Sequence, residues 1–271
     1  MDRSGFGGVS EFSAVTASGD SRAPSAGGTV AIIQARMRST RLPGKVLRDI
    51  AGQTMLERVV RRVQRAQLID EVVVATSTNR ADDEIVVLCE TLGVASARGS
   101  EDDVLDRFWN TAVAHDATTC VRVCADSPLI DASVCDLAVA TLLESNPAAD
   151  YASNKIEPSY PLGLDVEAFT RGALERAWNE ARNLHERSHV TVHMYQRPGA
   201  FRLLAVRDAV NRREWRWTVD TDEDLEFMRQ VFSRLDGRND FSYADVVSLI
   251  DGDPSLPIIN SHVRAKAVTA G

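Results

Sequence analysis

An α/β fold with a mostly parallel central sheet, covered by helices on both faces, is predicted by two regularities of the chain. Short apolar runs rich in β-branched residues alternate with longer segments of helical period. The polar, chemically suggestive stretches begin where those runs end, as ligand loops do at the carboxyl ends of parallel strands. The first run, 29–33, reads as a buried strand that leads into the polar segment 34–45. Met55, Leu56, Val59, Val60 and Val63 then recur at helical spacing, with Arg58, Arg61, Arg62 and Arg65 assigned to other faces. A second buried strand covers 72–74, and the next helix covers 81–92, opened by Asp82 and Asp83, whose charges suit its dipole. Onward the spacing predicts a helix over 102–115, a strand over 120–124, a helix over 131–143 and short strands at 150–153 and 164–168. Helices over 171–182 and 186–196, a strand at 201–206, and helices over 222–234 and 243–251 complete the pattern.

Composition excludes several classes. The 271 residues carry 31 Lys and Arg against 39 Asp and Glu, a net charge of −8, and 44% are hydrophobic. That is the make-up of a globular chain, not of a disordered, collagenous or coiled-coil one. A pI near 5.2, with no dense Lys/Arg stripe, argues against nucleic acid as a partner, because phosphate-backbone binding is driven by clustered cations. No apolar stretch approaches the ~20 residues that a membrane-spanning helix requires, so no membrane partner is expected. Cys89, Cys120, Cys124 and Cys135 form no C-x-x-C pair and sit in apolar surroundings. They read as buried free thiols of a reducing compartment, which makes the cytoplasm the expected location. Residues 1–28 are small and polar and read as a disordered N-terminal tail, 29–253 as the folded domain, and 254–271 as a C-terminal tail.

Three loops carry the chemistry. The first packs Arg36, Arg38, Arg41 and Lys45 into ten residues directly after the first strand, with Ser39, Thr40 and Gly44 among them. Guanidinium forks and an ammonium suit phosphate oxygens, although a solvated basic loop has the same composition. A P-loop would need glycine at Ser39 and Ser or Thr at Val46. The stretch from Ala35-Arg36 through Ser39-Thr40-Arg41-Leu42-Pro43-Gly44-Lys45 closely resembles the nucleotide-binding loop of the cytidylyltransferases that activate sugar acids. These form the CMP-KDO and CMP-acylneuraminate synthetase superfamily, and the likeness, over roughly 30–235, is greatest to its spore coat polysaccharide biosynthesis protein F branch. The resemblance implies a Rossmann-like three-layer nucleotidyltransferase fold, similar to that of glycosyltransferase-A enzymes. It further implies transfer of CMP from CTP to an anionic acceptor with release of pyrophosphate, and commonly a homodimer. Gln34, Ala35, Arg36, Ser39, Arg41 and Lys45 are then nucleotide-binding, with Lys45, Arg36 and Asp126 catalytic.

The second loop, Cys124-Ala125-Asp126-Ser127-Pro128-Leu129-Ile130, leaves a strand with Asp126 at its exit. A carboxylate there can hold Mg²⁺, which takes few protein carboxylates and keeps its other positions for phosphates and water, although a lone Asp in such a place is more often a turn former or a helix cap. The segment is similar to the family's G-D-x-P-L-I, whose Asp binds the metal and nucleotide, with Ala125 in place of glycine. In the third loop, Asp220 is expected to end a strand, while Thr221, Asp222 and Asp224 cap the helix that follows. It resembles the family's D-T-x-E-D-L, which implies that Asp220 is the second Mg²⁺ ligand. Asp220-Thr221-Asp222 also spells the D-x-D of metal-dependent glycosyltransferases, which use a nucleotide-sugar donor. Gly99-Ser100 through Asp106-Arg107 is similar to a family segment that implies Ser100 and Arg107 near the nucleotide. Asp165, Glu167, Glu186 and His189 are assigned to the acceptor. Leu162 and Arg38 stand where relatives often have Asp and Gly. His185-Glu186-Arg187-Ser188-His189 spells H-E-x-x-H, but nothing in the parallel α/β pattern resembles a zinc protease.

Overall fold

The computed structural model describes residues 13–15, 27–197 and 199–264. In chain order its strands and helices are β1 (Ser13–Val15), β2 (Gly28–Gln34), β3 (Asp49–Ile50), β4 (Gln53–Thr54), α1 (Met55–Val63), β5 (Glu71–Ser77), α2 (Asp83–Leu92), β6 (Ala95–Gly99) and α3 (Val104–Ala114). There follow β7 (Ala117–Cys124), α4 (Ala132–Leu143), β8 (Tyr151–Ser153), β9 (Glu167–Thr170), α5 (Arg171–Glu180), α6 (Leu184–Ser188), α7 (Val192–Tyr195), β10 (Leu203–Ala205), α8 (Asp222–Arg234) and α9 (Tyr243–Gly252). Among the described residues the main sheet has the order β1-β6-β5-β2-β7-β9-β8-β10. β6, β5, β2 and β7 run parallel, β9 lies antiparallel between β7 and β8, and β10 is parallel to β8. β1 pairs antiparallel with β6 inside the stretch expected to be a disordered tail; the rest of that stretch up to residue 26 lies outside the described residues.

The period of two along β2 divides the interior into two cores. Ala31 and Ile33 face Val59 of α1, Val139 of α4 and Phe232 of α8, whereas Val30 and Ile32 face Phe108 of α3, Leu174 of α5 and Met194 of α7. Helices therefore cover both faces of a mostly parallel sheet, as the alternation of elements predicts.

Several expectations are corrected. β6 is a strand without one β-branched residue, so its conformation comes from pairing with β5 and not from propensity. The helix expected over 186–196 is broken into α6 and α7 at Val190, which is fully buried with φ at 58°. A β-branched residue takes that conformation only when its surroundings impose it. Here the break brings the Thr191 hydroxyl onto Glu167. Arg58 and Arg62, assigned to faces other than the apolar one, are themselves buried, Arg58 donating to the carbonyls of Ile50, Ala51 and Gly237, and Arg62 to those of Ile130, Asn239 and Phe241. The fold also continues past residue 253, because Leu256 is fully buried in the core and Asn260 is 3% exposed. Of the expected C-terminal tail, 265–271 lie outside the described residues.

Candidate active site

β2 and β7 are adjacent and in register, Gln34 opposite Cys124, and the Ala125 amide donates to the Gln34 carbonyl at 3.0 Å. Their two exit loops therefore open side by side at the carboxyl edge of the sheet, where the order reverses between β5 and β7. The loop after β2 is pinned from behind by Asp82, a buried carboxylate that accepts from the Met37 amide at 2.7 Å and from the Ser77 amide at 3.2 Å. Gly44, at φ 68°, turns the chain so that Lys45 points inward. The result is a cleft of about 820 Å³ lined by Gln34, Arg36, Ser39, Lys45, Asp126 and Asp220, with Arg38 and Arg41 at its wall.

Lys45 is the centre of this cleft. Its Nζ donates to Asp126 Oδ2 at 2.7 Å, to Asp220 Oδ1 at 3.0 Å and to the Val219 carbonyl at 2.7 Å. Burial opposes the ammonium charge, but the fields of Asp126 and Asp220 outweigh it and hold Lys45 above its ordinary pKa. Burial likewise opposes the Asp220 carboxylate, and Lys45, Arg216 and Arg41 outweigh that and hold it below its usual range. The two acidic segments are zipped together by backbone, the Val219 amide donating to the Asp126 carbonyl at 2.9 Å. Asp220 thus does not end a strand; it follows an extended segment whose one bridge joins Arg216 to Leu162. Thr221 and Asp224 form the expected capping box at the start of α8. Asp222 is exposed in the first turn, so the D-x-D reading has only one of its two acids in the cleft.

A second group of ionised side chains lies beyond Cys124. Glu167, 2% exposed, accepts from Arg122, from the Tyr151 hydroxyl at 2.7 Å, from Lys155 Nζ at 3.2 Å and from the Thr191 hydroxyl. Arg122 also donates to Gln34 Oε1 at 3.1 Å, linking this group to the end of β2. Although burial opposes its charge, Lys155, Arg122 and the two hydroxyls hold Glu167 well below the usual carboxylate range. Burial raises the Asp165 carboxyl instead, against the pull of Lys155. Burial and the positive fields of His185, Arg122, Lys155 and Arg36 keep the exposed His189 below its ordinary value. Burial pushes the half-buried Cys124 thiol, on the cleft floor, up to about 11, which leaves it protonated and inert at neutral pH.

Seven of the residues assigned from sequence do not line the cleft: Asp165, Glu167 and His189 belong to the group beyond Cys124, and four more lie elsewhere. Ala35 turns its methyl into the core and does not line the cleft. Ser100 and Arg107 do not line the cleft; Arg107 is buried behind Gly99, donates to the Ser100 carbonyl at 2.7 Å, and is pulled by burial down to about 10. Its Nε and Nη2 have no partner, so this guanidinium keeps donors in reserve. Glu186 is not free to meet an acceptor: its carboxylate accepts from Arg197 at 2.8 Å and from the Arg182 amide at 3.2 Å, with His193 Nδ1 at 3.3 Å. The same engagement removes the base that the H-E-x-x-H spelling requires, and the described residues hold no cluster of three or more potential metal-ligating side chains. Sequence reasoning missed Arg122, Tyr151, Lys155 and Thr191, which no local spacing connects.

Asp126 and Asp220 converge on one cation, and two carboxylates with room for phosphate and water are the donor set that Mg²⁺ takes. The site's residues therefore fit a divalent ion, and Lys45 holds the point of convergence in this structure.

Comparison with known proteins agrees with this geometry. The family described as cytidylyltransferase matches residues 30–245. The chain is 36% identical over 240 residues to an uncharacterized protein, MJ1063, of Methanocaldococcus jannaschii, covering 88% of this chain and 96% of that one. It is 30% identical over 230 residues to the spore coat polysaccharide biosynthesis protein SpsF of Bacillus subtilis, covering 82% and 94%. A solved cytidylyltransferase of Leptospira borgpetersenii superposes with a TM-score of 0.81 at 30% identity, over 85% of this chain and 96% of that one. With its cationic loop after β2, its paired acids and its parallel sheet, the chain belongs to the cytidylyltransferase family and is a nucleotidyltransferase.

Proposed function

We propose that the protein transfers CMP from CTP to an anionic acceptor of the sugar-acid class, or a phosphorylated or phosphonate metabolite, with release of pyrophosphate in a Mg²⁺-dependent reaction. The observation that carries this reading is Lys45 joining Asp126 and Asp220 in a cleft whose other walls bear Arg36, Arg38 and Arg41. Four cations in one loop suit a triphosphate, two of whose phosphates must leave. Asp126 and Asp220 would hold the ion, which supplies charge neutralisation at the phosphorus under attack. Lys45, Arg36 and Arg41 stabilise the charge that builds on the departing pyrophosphate, each as a preorganised donor. The ionised group beyond Cys124 supports an anionic acceptor: Lys155 and Arg122 face one buried carboxylate, Glu167, and the half-exposed Lys155 has ammonium donors to spare. His189 and Asp165 lie near the same two cations. Free thiols among the described cysteines fit a reducing cytoplasm, and the family likeness extends the reading to a homodimer.

Thermal stabilisation by CTP, UTP, GTP, ATP, UDP-glucose and GDP-mannose, each with and without Mg²⁺, tests this. At a CTP concentration of about 100 times Kd the native state gains about 2.7 kcal/mol, which for a domain of this size raises Tm by roughly 5–10 °C. A shift confined to CTP with Mg²⁺ is expected, followed by pyrophosphate release with a sugar acid. A shift with a nucleotide-sugar and none with CTP rejects the proposal in favour of glycosyl transfer.

A further inference from the structure

Asp220 presents two oxygens to two different tasks. Oδ1 faces the Lys45 ammonium, while Oδ2 accepts from Arg216 Nη2 at 3.0 Å and pairs with Arg41 Nη2 at 2.8 Å. Arg216, nearly buried, is itself clamped: its Nε donates to Asp224 Oδ1 at 2.8 Å and its Nη2 to Asp224 Oδ2 at 2.8 Å. Asp224 is fully buried and also accepts from the Asp220 amide at 2.9 Å. The last partner comes from the C-terminal segment, where Asn260 Nδ2 donates to Asp224 Oδ1 at 3.0 Å and to the Arg216 carbonyl at 3.1 Å. That segment is anchored by the buried Leu256 and reaches forward again at Arg264, whose carbonyl accepts from Arg41 Nη1 at 3.4 Å.

We propose that Asn260, Asp224 and Arg216 are positioning residues for the nucleotidyl transfer: a relay from the C-terminal segment that fixes Asp220 so that only Oδ1 is offered to the divalent ion. The inference rests on the reading of Asp126 and Asp220 as the ion's carboxylates. Its physical basis is rigidity. A carboxylate tethered by one flexible lysine can rotate, whereas the planar guanidinium of Arg216 bridges two carboxylates at once and leaves Asp220 one orientation. Asn260 is the second donor to Asp224 Oδ1 beside Arg216 Nε, and at this buried carboxylate no water is at hand to take its place. Groups that orient a metal ligand in this way set both affinity and rate.

The test uses the full chain with Asn260→Ala and Arg216→Lys, and Ile258→Ser, 68% exposed in the same segment, as control. Mn²⁺ binding in the presence of CTP is followed by electron paramagnetic resonance, and kcat and KM are measured across Mn²⁺ concentrations. Both relay variants are expected to bind Mn²⁺ about tenfold more weakly, with kcat recovering as Mn²⁺ is raised, a rescue that a merely loosened fold does not show. Ile258→Ser is expected to match the unsubstituted chain. Should Asn260→Ala prove poorly folded, Arg216→Lys decides alone. Unchanged Mn²⁺ affinity in a folded relay variant overturns the relay while leaving the CTP reading intact. Absence of CTP-dependent Mn²⁺ binding in the unsubstituted chain overturns the CTP reading and the relay with it.

Discussion

At Lys45 one ammonium is shared by two carboxylates, so its removal unpairs those acids and, in the proposed reaction, withdraws a donor from the leaving pyrophosphate. Loss of one preorganised charge of this kind costs about 3 kcal/mol of transition-state stabilisation, or roughly a hundredfold in rate. Lys45→Ala is therefore expected to lower kcat for pyrophosphate release by that order, and full turnover in the variant contradicts the assignment. Glu167 makes a different prediction, one of stability against pH. Its carboxyl is depressed in the folded protein, so its contribution is complete above the unfolded pKa, about 4.3, and is lost as pH falls below it. Glu167→Gln leaves Arg122 and Lys155 without their counter-charge, and denaturant unfolding at neutral pH should show a loss of about 3–5 kcal/mol. The same variant should lack the part of the acid destabilisation that begins below about pH 4.3. A variant that loses stability with acid as steeply as the original protein refutes this. Lys45, Asp126 and Asp220 were legible from sequence because each sits in a compact motif after an apolar run. Arg122, Tyr151, Lys155 and Thr191 were not, because the contact that unites them on Glu167 is made by folding alone.

Among elements, the loop over 160–164 and the extended segment over 215–218 show how closely the site is built. Gly163 has φ at 103°, and a Cβ there would stand 2.4 Å from the Thr218 nitrogen and 2.4 Å from the Trp217 carbonyl carbon. On either side the chains are joined by Leu162, whose amide donates to Trp215 and whose carbonyl accepts from Trp217. Gly163→Ala must force apart the segment that carries Asp220, at a cost of at least about 2 kcal/mol. A fall in Tm of roughly 5 °C or more is expected, and an unchanged Tm would show that the loop yields without strain. Element type was legible wherever β-branched runs or helical periodicity were strong, as in β2, β5, α1 and α8. It was hidden in β6, where Ala-Ser-Ala-Arg-Gly carries no strand signal, and at Val190, where the apolar period runs on through a break imposed by tertiary packing. The burial of Arg58 and Arg62 was not legible, because an arginine that binds main-chain carbonyls is indistinguishable in sequence from one that faces water.

On the scale of the whole molecule, the parallel order of β6, β5, β2 and β7 follows from the alternation of strands and helices. The reversed direction of β9 does not, since a period of two is the same read either way. Nor did composition reveal that the chain past residue 253 returns to the site, because a single buried leucine and one asparagine leave no pattern. That return bears on how the protein comes into being. Lys45 is separated from Asp126 by 81 residues and from Asp220 by 175, and no shorter piece of chain brings the three together. Synthesis delivers the cationic loop first and its acids long afterwards. A chain still being synthesised therefore cannot assemble this cluster until residue 220 and its support at 260 have emerged.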